Sequence, residues 1–290
     1  MIFRRIILLL LLNIVAVNSI IAQVSIVKPD LSTSTKIAPD YFGPNALPIP
    51  DMLDGTTSSD ILLEFGGDYF DGHRGDKTYD LYFKVVVPLY SERVNLTVWM
   101  QSIVEWYEMS EESHEHSRLP DDIAYTGYET GDAYITTDIH LMKQSASRPD
   151  VTLRVGLKTA LGYGFFKARY FDNPGYFFDT SIAKSFALDG DILRDIRFVG
   201  SFGFLCWQTD NGRQNDAVMY GLQAKIRTKW FTLSESFGGY SGWERDGDCP
   251  MSIKSEIRTR FGRYEPYVAH QYGFRDYPFT QYRIGVGYRF

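Results

Sequence analysis

The ionisable residues that can do chemistry are unevenly spread. Glu64, Asp68, Asp80, Glu105 and Asp138 lie in the first half of the chain, with Asp179 soon after. Lys225, Arg227, Lys254, Arg258, Arg260, Arg283 and Arg289 lie in the last quarter, and Arg154 and Lys158 fall between the two sets. Within each stretch the spacing is even, so on extended strands such residues share one face. Arranged around a pore, an acidic wall would oppose a basic one, a field that orients polar solutes and sets selectivity. The same charges can instead neutralise one another and fill a structural lumen.

Other chemistry is thinner. His140 beside Asp138 and Thr136, or His270, can act as a base in a lipid hydrolase or deacylase, but no serine motif accompanies either at a spacing that specifies acyl transfer. His114-Glu115-His116 lacks a third metal ligand, and Asp246-Gly247-Asp248 lacks the spacing of a calcium loop. The polar run 209–216 can bind a solute, a cation or lipopolysaccharide headgroups. No metal or cofactor is called for. Cys206 and Cys249 are the two cysteines. An exported chain permits their pairing, but three strand spacings separate them unless loops fold inward, so a disulfide stays open.

These residues need elements to hold them. The chain has 290 residues, 36 acidic against 30 basic, which does not suit a nucleic-acid binder. Residues 1–22 place Arg4 and Arg5 before the apolar run Ile6 to Val17 and end at Ala22, the layout of a secretory signal peptide. That leader holds two of the basic and none of the acidic residues, so its removal leaves a formal charge of −8. Residues 23–59 are rich in Pro, Ser and Thr and break regular ladders; they are expected as a periplasmic tail or as a hatch in the lumen.

From residue 60 onward about twelve alternating segments follow: 60–71, 77–90, 93–108, 131–144, 150–163, 175–187, 195–208, 216–228, 230–243, 250–261, 264–274 and 279–290. Their length suits tilted membrane-spanning strands and is about twice that of ordinary sandwich strands. In 150–163, Val151, Leu153, Val155 and Leu157 are expected to face lipid, with Arg154 and Lys158 inward. Ile284 and Val286 likewise oppose Arg283. Glu235 shares a face with Phe231 and Leu233, which predicts a bulge or a different phase there. Connections alternate short and long. Tyr69, Tyr79, Tyr107, Tyr134, Tyr163, Tyr176 and Trp243 are expected on one rim, and Tyr90, Trp230, Tyr264 and Phe290 on the other, as interfacial girdles.

The last eight residues, Arg283-Ile284-Gly285-Val286-Gly287-Tyr288-Arg289-Phe290, resemble the terminal strand of bacterial outer-membrane β-barrel proteins. Gly285, Tyr288 and Phe290 match position by position, and the resemblance implies recognition by the barrel assembly machinery. Gly131-Asp132 with the run 149–162 looks like the central hairpin of barrels linked to uptake of aromatic or other small organic solutes.

The sequence therefore predicts an all-β protein, a transmembrane antiparallel up-and-down barrel over 60–290, in the outer membrane of a Gram-negative bacterium. Its expected partners are outer-membrane lipid and lipopolysaccharide, the assembly machinery and a small-molecule solute, with no nucleic acid. The function expected is a porin-like channel for a small polar or amphipathic solute; a filled structural or surface-binding barrel and a lipid hydrolase are the alternatives.

Overall fold

Among the described residues, fourteen strands form one antiparallel sheet that closes on itself. The computed structural model describes residues 36–171, 173–209, 214–243 and 247–290; the expected leader 1–22 lies outside them. The strands are β1 (Leu62–Gly72), β2 (Lys77–Tyr90), β3 (Val94–Met100), β4 (Glu105–Glu108), β5 (Thr126–Glu129), β6 (Ala133–Met142) and β7 (Asp150–Lys158). They continue as β8 (Gly175–Ala187), β9 (Leu193–Gln208), β10 (Gln214–Thr228), β11 (Phe231–Gly242), β12 (Met251–Thr259), β13 (Tyr264–Arg275) and β14 (Phe279–Arg289). Among the described residues no helix is long and apolar enough to cross a membrane.

The ring has twelve staves. β1 pairs with β2 on one side and with β14 on the other, Leu62 facing Arg289 and Gly72 facing Phe279, and this seam closes the cylinder. β3 and β4 both pair along β2, and β5 and β6 continue opposite them. The third and fourth staves are therefore each interrupted, at 101–104 and 130–132. This corrects the expected segments 93–108 and 131–144: the first is broken, and the second is preceded by strand from Thr126 in what alternation assigns to a loop. The Gly131 N–H donating to the Ser102 carbonyl at 2.9 Å bridges the two breaks.

Alternation on each stave sorts side chains to two faces. On β14, Ile284 is 69% exposed while Arg283 beside it is 6% exposed. Leu157, Leu222, Phe202, Ile253 and Val268 join Ile284 on the outer face, and that outer face is the apolar one. The inner face is polar along most of its length. An aromatic cluster of Tyr107, Tyr134, Phe177, Trp207 and Tyr240 packs inside the ring with Phe42, Leu47 and Phe171. Tyr107 and Tyr134 thus leave the expected outer girdle: each has the parity of an inward neighbour, Glu105 and Thr136, and both are buried. Trp106, its ring tilted against that of Tyr79 with centroids 5.2 Å apart, takes the outward place.

One end of the ring carries the tight connections 91–93, 229–230 and 260–263, and the other carries the long ones 109–125 and 159–174. The exceptions are 73–76 and 276–278, which are short although they sit at the long-loop end, and 143–149 and 188–192, which are longer although they sit at the tight-turn end.

Candidate functional site

The lumen is crossed by residues 36–60, hereafter the strap. Four prolines (Pro39, Pro44, Pro48, Pro50) deny it a ladder, and its regular structure is one turn at Pro39–Tyr41. It begins at the long-loop end. There Asp40 accepts from Arg74 and pairs with His116, both at 3.0 Å, and the Tyr41 ring stacks on His116. The Gly43 N–H donates to the Ala168 carbonyl at 2.7 Å. A Cβ at Gly43 would stand 2.5 Å from the Arg169 guanidinium carbon, so only glycine allows this approach.

Lower down, the Tyr277 and Tyr240 hydroxyls donate to the Pro44 and Leu47 carbonyls at 3.2 and 3.0 Å. Lys254 then pairs with Asp51 and Lys225 with Asp54, both at 2.7 Å. Arg154 and Arg197 donate to the Asp51 and Asp54 carbonyls, each at 2.8 Å. The strap reaches the short-turn end where Thr57 donates to the Glu92 carbonyl, and Phe290 donates to the Ile61 carbonyl at 3.0 Å. A segment without secondary structure is thereby satisfied by the wall rather than by itself.

A second inward element is the connection 159–174. Arg169 is buried, its Nε donating to Glu105 at 2.6 Å and its Nη2 to Thr78 at 2.8 Å, while the Tyr170 hydroxyl reaches the other Glu105 oxygen at 2.6 Å. Asn45 of the strap donates to Asp80 and Glu105. Lys158 pairs with Asp132 at 2.6 Å, and Asp132 also accepts from the Leu161 and Gly162 N–H groups. Loop, strap and the wall beside the stave breaks are thus tied together, and their aromatic side chains fill the long-loop half of the lumen.

Below this layer lies a cavity of about 490 Å³ lined by strap and wall, with Trp99, Tyr134 and Phe177 at one end and Arg260 and Arg289 toward the short-turn end. Trp99 and Tyr134 stack with ring centroids 5.0 Å apart. The Asn45 side-chain oxygen, the Tyr134 hydroxyl and the Gln281 amide nitrogen line the cavity buried, with no hydrogen-bond partner among the described residues.

The residues singled out from sequence sort as follows. Glu64, Asp68, Asp80, Glu105, Asp138, Arg154, Lys158 and Arg283 lie on the inner face, all buried. Lys225 and Arg258 are inward and half-buried, while Arg227 and Arg260 sit at the short-turn rim, their side chains 66% and 58% exposed. The acids lie on β1, β2, β4 and β6 and most of the bases on β10, β12 and β14, but several are joined in close pairs. Arg283 holds Asp68 on the adjoining stave, Arg258 holds Glu64 at 2.5 Å, Arg227 holds Asp195 and Arg154 holds Asp179. Close pairing satisfies these charges locally and weakens a transverse field, while Asp80 is held by Asn45 and Asp138 by Thr97.

Sequence reasoning missed Asp51, Asp54 and Arg169, which anchor strap and loop. Acids in a proline-rich stretch and a lone arginine in an aromatic run were the available signals. Cys206 and Cys249 are free thiols, which corrects the disulfide option. Two strands, β10 and β11, separate β9 from β12, so the wall holds them about 14 Å apart, against the roughly 5.5 Å between Cα atoms that a bridge needs. His114 contacts the Ile123 carbonyl while His116 serves Asp40, and no metal cluster occurs among the described residues. Residues 210–213 and 244–246 of the two polar loops lie outside the described residues. His140 meets Asp150 at 2.9 Å in a network with Arg197 and Gln144. His270 and Glu235 lie on the outer face, so Glu235 keeps the phase of Phe231 and Leu233 without a bulge.

The architecture has solved counterparts. The NanC porin superposes with a TM-score of 0.53 at 12% identity, over 79% of this chain and 100% of that one. An outer membrane channel from Pseudomonas putida F1 gives 0.53 at 12% identity, over 83% and 100%. This chain folds as an outer-membrane β-barrel. At such identity the likeness of this β-barrel to both is one of fold. The sequence matches no protein-family model and no curated protein.

Proposed function

We propose that this β-barrel is a channel in the outer membrane of a Gram-negative bacterium that takes a small polar or amphipathic solute into its lumen and is closed by its own strap. The observation that carries the reading is the 490 Å³ lumen cavity, large enough for a small organic molecule, with stacked aromatic rings and unpartnered polar atoms on its wall. An aromatic shelf beside buried donors and acceptors suits a solute with one apolar face and several polar groups. The apolar outer face supports placement in lipid, and the strand ending in Gly285, Tyr288 and Phe290 is the segment for the assembly machinery to recognise.

Planar-bilayer conductance tests it. The intact protein should pass little current, and a variant lacking residues 23–58 should conduct. Absence of any channel after that deletion rejects the reading. It would favour the second one, a filled structural barrel, which draws on the ion pairs that tie the strap to the wall and on the aromatic layer above the cavity.

A further inference from the structure

A polar island interrupts the apolar outer face. Glu235 on β11, Ser255 on β12 and His270 on β13 are directly opposed in register, Glu235 to Ser255 and Ser255 to His270. The Ser255 hydroxyl donates to Glu235 at 2.7 Å, and both Glu235 and His270 are exposed. Their neighbours along the strands, Leu233 and Phe237, Ile253 and Ile257, Val268 and Tyr272, are apolar.

The island is deep in the apolar belt. Glu235 lies five residues from Trp230, Ser255 six from Phe261 and His270 six from Tyr264, the exposed rings at the short-turn rim. For tilted strands that places all three about 12 to 15 Å above that rim, near the middle of a belt about 25 Å tall. Lipid headgroups and ester carbonyls do not reach that depth, and hydrocarbon offers no hydrogen bond. The surface here is also recessed: a groove runs between Leu233, Glu235, His270 and Tyr282, and small Ala224 flanks Glu235 on β10.

We propose that this face binds a second copy of the same chain. The island is self-complementary. With Ser255 at a two-fold axis along the membrane normal, Glu235 of each copy turns toward the other's imidazole, because an isologous contact exchanges left for right. Carboxyl and imidazole satisfy each other by a hydrogen bond in either proton arrangement, and Ser255 keeps its bond to Glu235. The inference rests on the outer-membrane reading only in that the outer face must meet hydrocarbon.

The test is cysteine cross-linking in membranes of cells producing the full chain, with sedimentation of the purified protein in detergent. Ser255→Cys should give a reducible band at twice the monomer mass, and Leu157→Cys on the far wall should not. Glu235→His and His270→Glu alone should each weaken self-association at least tenfold, and the two together should restore it. A membrane-embedded monomer with no Ser255→Cys band overturns the proposal alone and leaves the channel reading standing. Recovery of the chain in detergent-free soluble fractions overturns both. Ester hydrolysis in micelles abolished by Ser255→Ala would assign the island to catalysis and overturn the contact.

Discussion

Arg283 and Asp68 meet across the seam where the last stave joins the first, with the guanidinium Nε and Nη2 on the two carboxylate oxygens at 2.5 and 2.6 Å. Both side chains are buried, and the guanidinium carbon also lies 3.8 Å from the Tyr82 ring centroid. Removing one partner strands the other, so Arg283→Met or Asp68→Asn should each cost about 3–5 kcal/mol. The paired change Asp68→Leu with Arg283→Met should recover part of that loss. Urea unfolding in micelles, followed by heat-modifiable gel mobility, reads both.

Arg169→Ala should free the connection 159–174. It leaves Glu105 buried without its cation, at a cost of about 3–5 kcal/mol to the docked loop. The expected outcome is new proteolytic cleavage near Lys167 in intact membranes, with the rest of the barrel still resistant.

Lys225→Ala together with Lys254→Ala should loosen the strap. Each pair is partly exposed, so each is worth at most about 1 kcal/mol, and the double change should raise the frequency of open-channel events by roughly tenfold. Raising the salt to 1 M, where the screening length falls to about 3 Å, should move the wild type in the same direction. Single-channel recordings at two ionic strengths check this.

Gly285→Val should impair barrel formation, because a Cβ there would stand 2.5 Å from the Tyr267 ring. The backbone lets that ring lie flat over β14, and the added side chain evicts it. Tyr267→Ala should relieve the clash and restore part of the folded fraction, measured by heat-modifiable mobility after refolding.

What was legible in the sequence was whatever a single strand states about itself. The phase of 150–158 and of 279–289, the even number of staves and the inward acids all follow from period two. Pairing does not. Lys225 finds Asp54 171 residues earlier, in a segment with no period. Arg283 is legible as inward, but its partner depends on closure, which joins β14 to β1. The broken staves were hidden because Ser102 and Gly131 replace ladder bonds with a loop-to-loop bond that leaves no pattern. Glu235 keeps the phase its strand states, yet a carboxylate among Phe231, Leu233 and Phe237 contradicts the rule for a lipid face, so alternation alone predicts a bulge there.

The strap also restricts the route by which it can be put in place. Its described start sits at the long-loop mouth and its end runs into β1 at the opposite mouth, so the cord runs the full length of the hoop. Once β1 and β14 have zipped together, residues 36–60 can reach their place only lengthwise, through the mouth where they join β1. A bulky folded cargo fused ahead of residue 36 should therefore keep the cord from threading the bore.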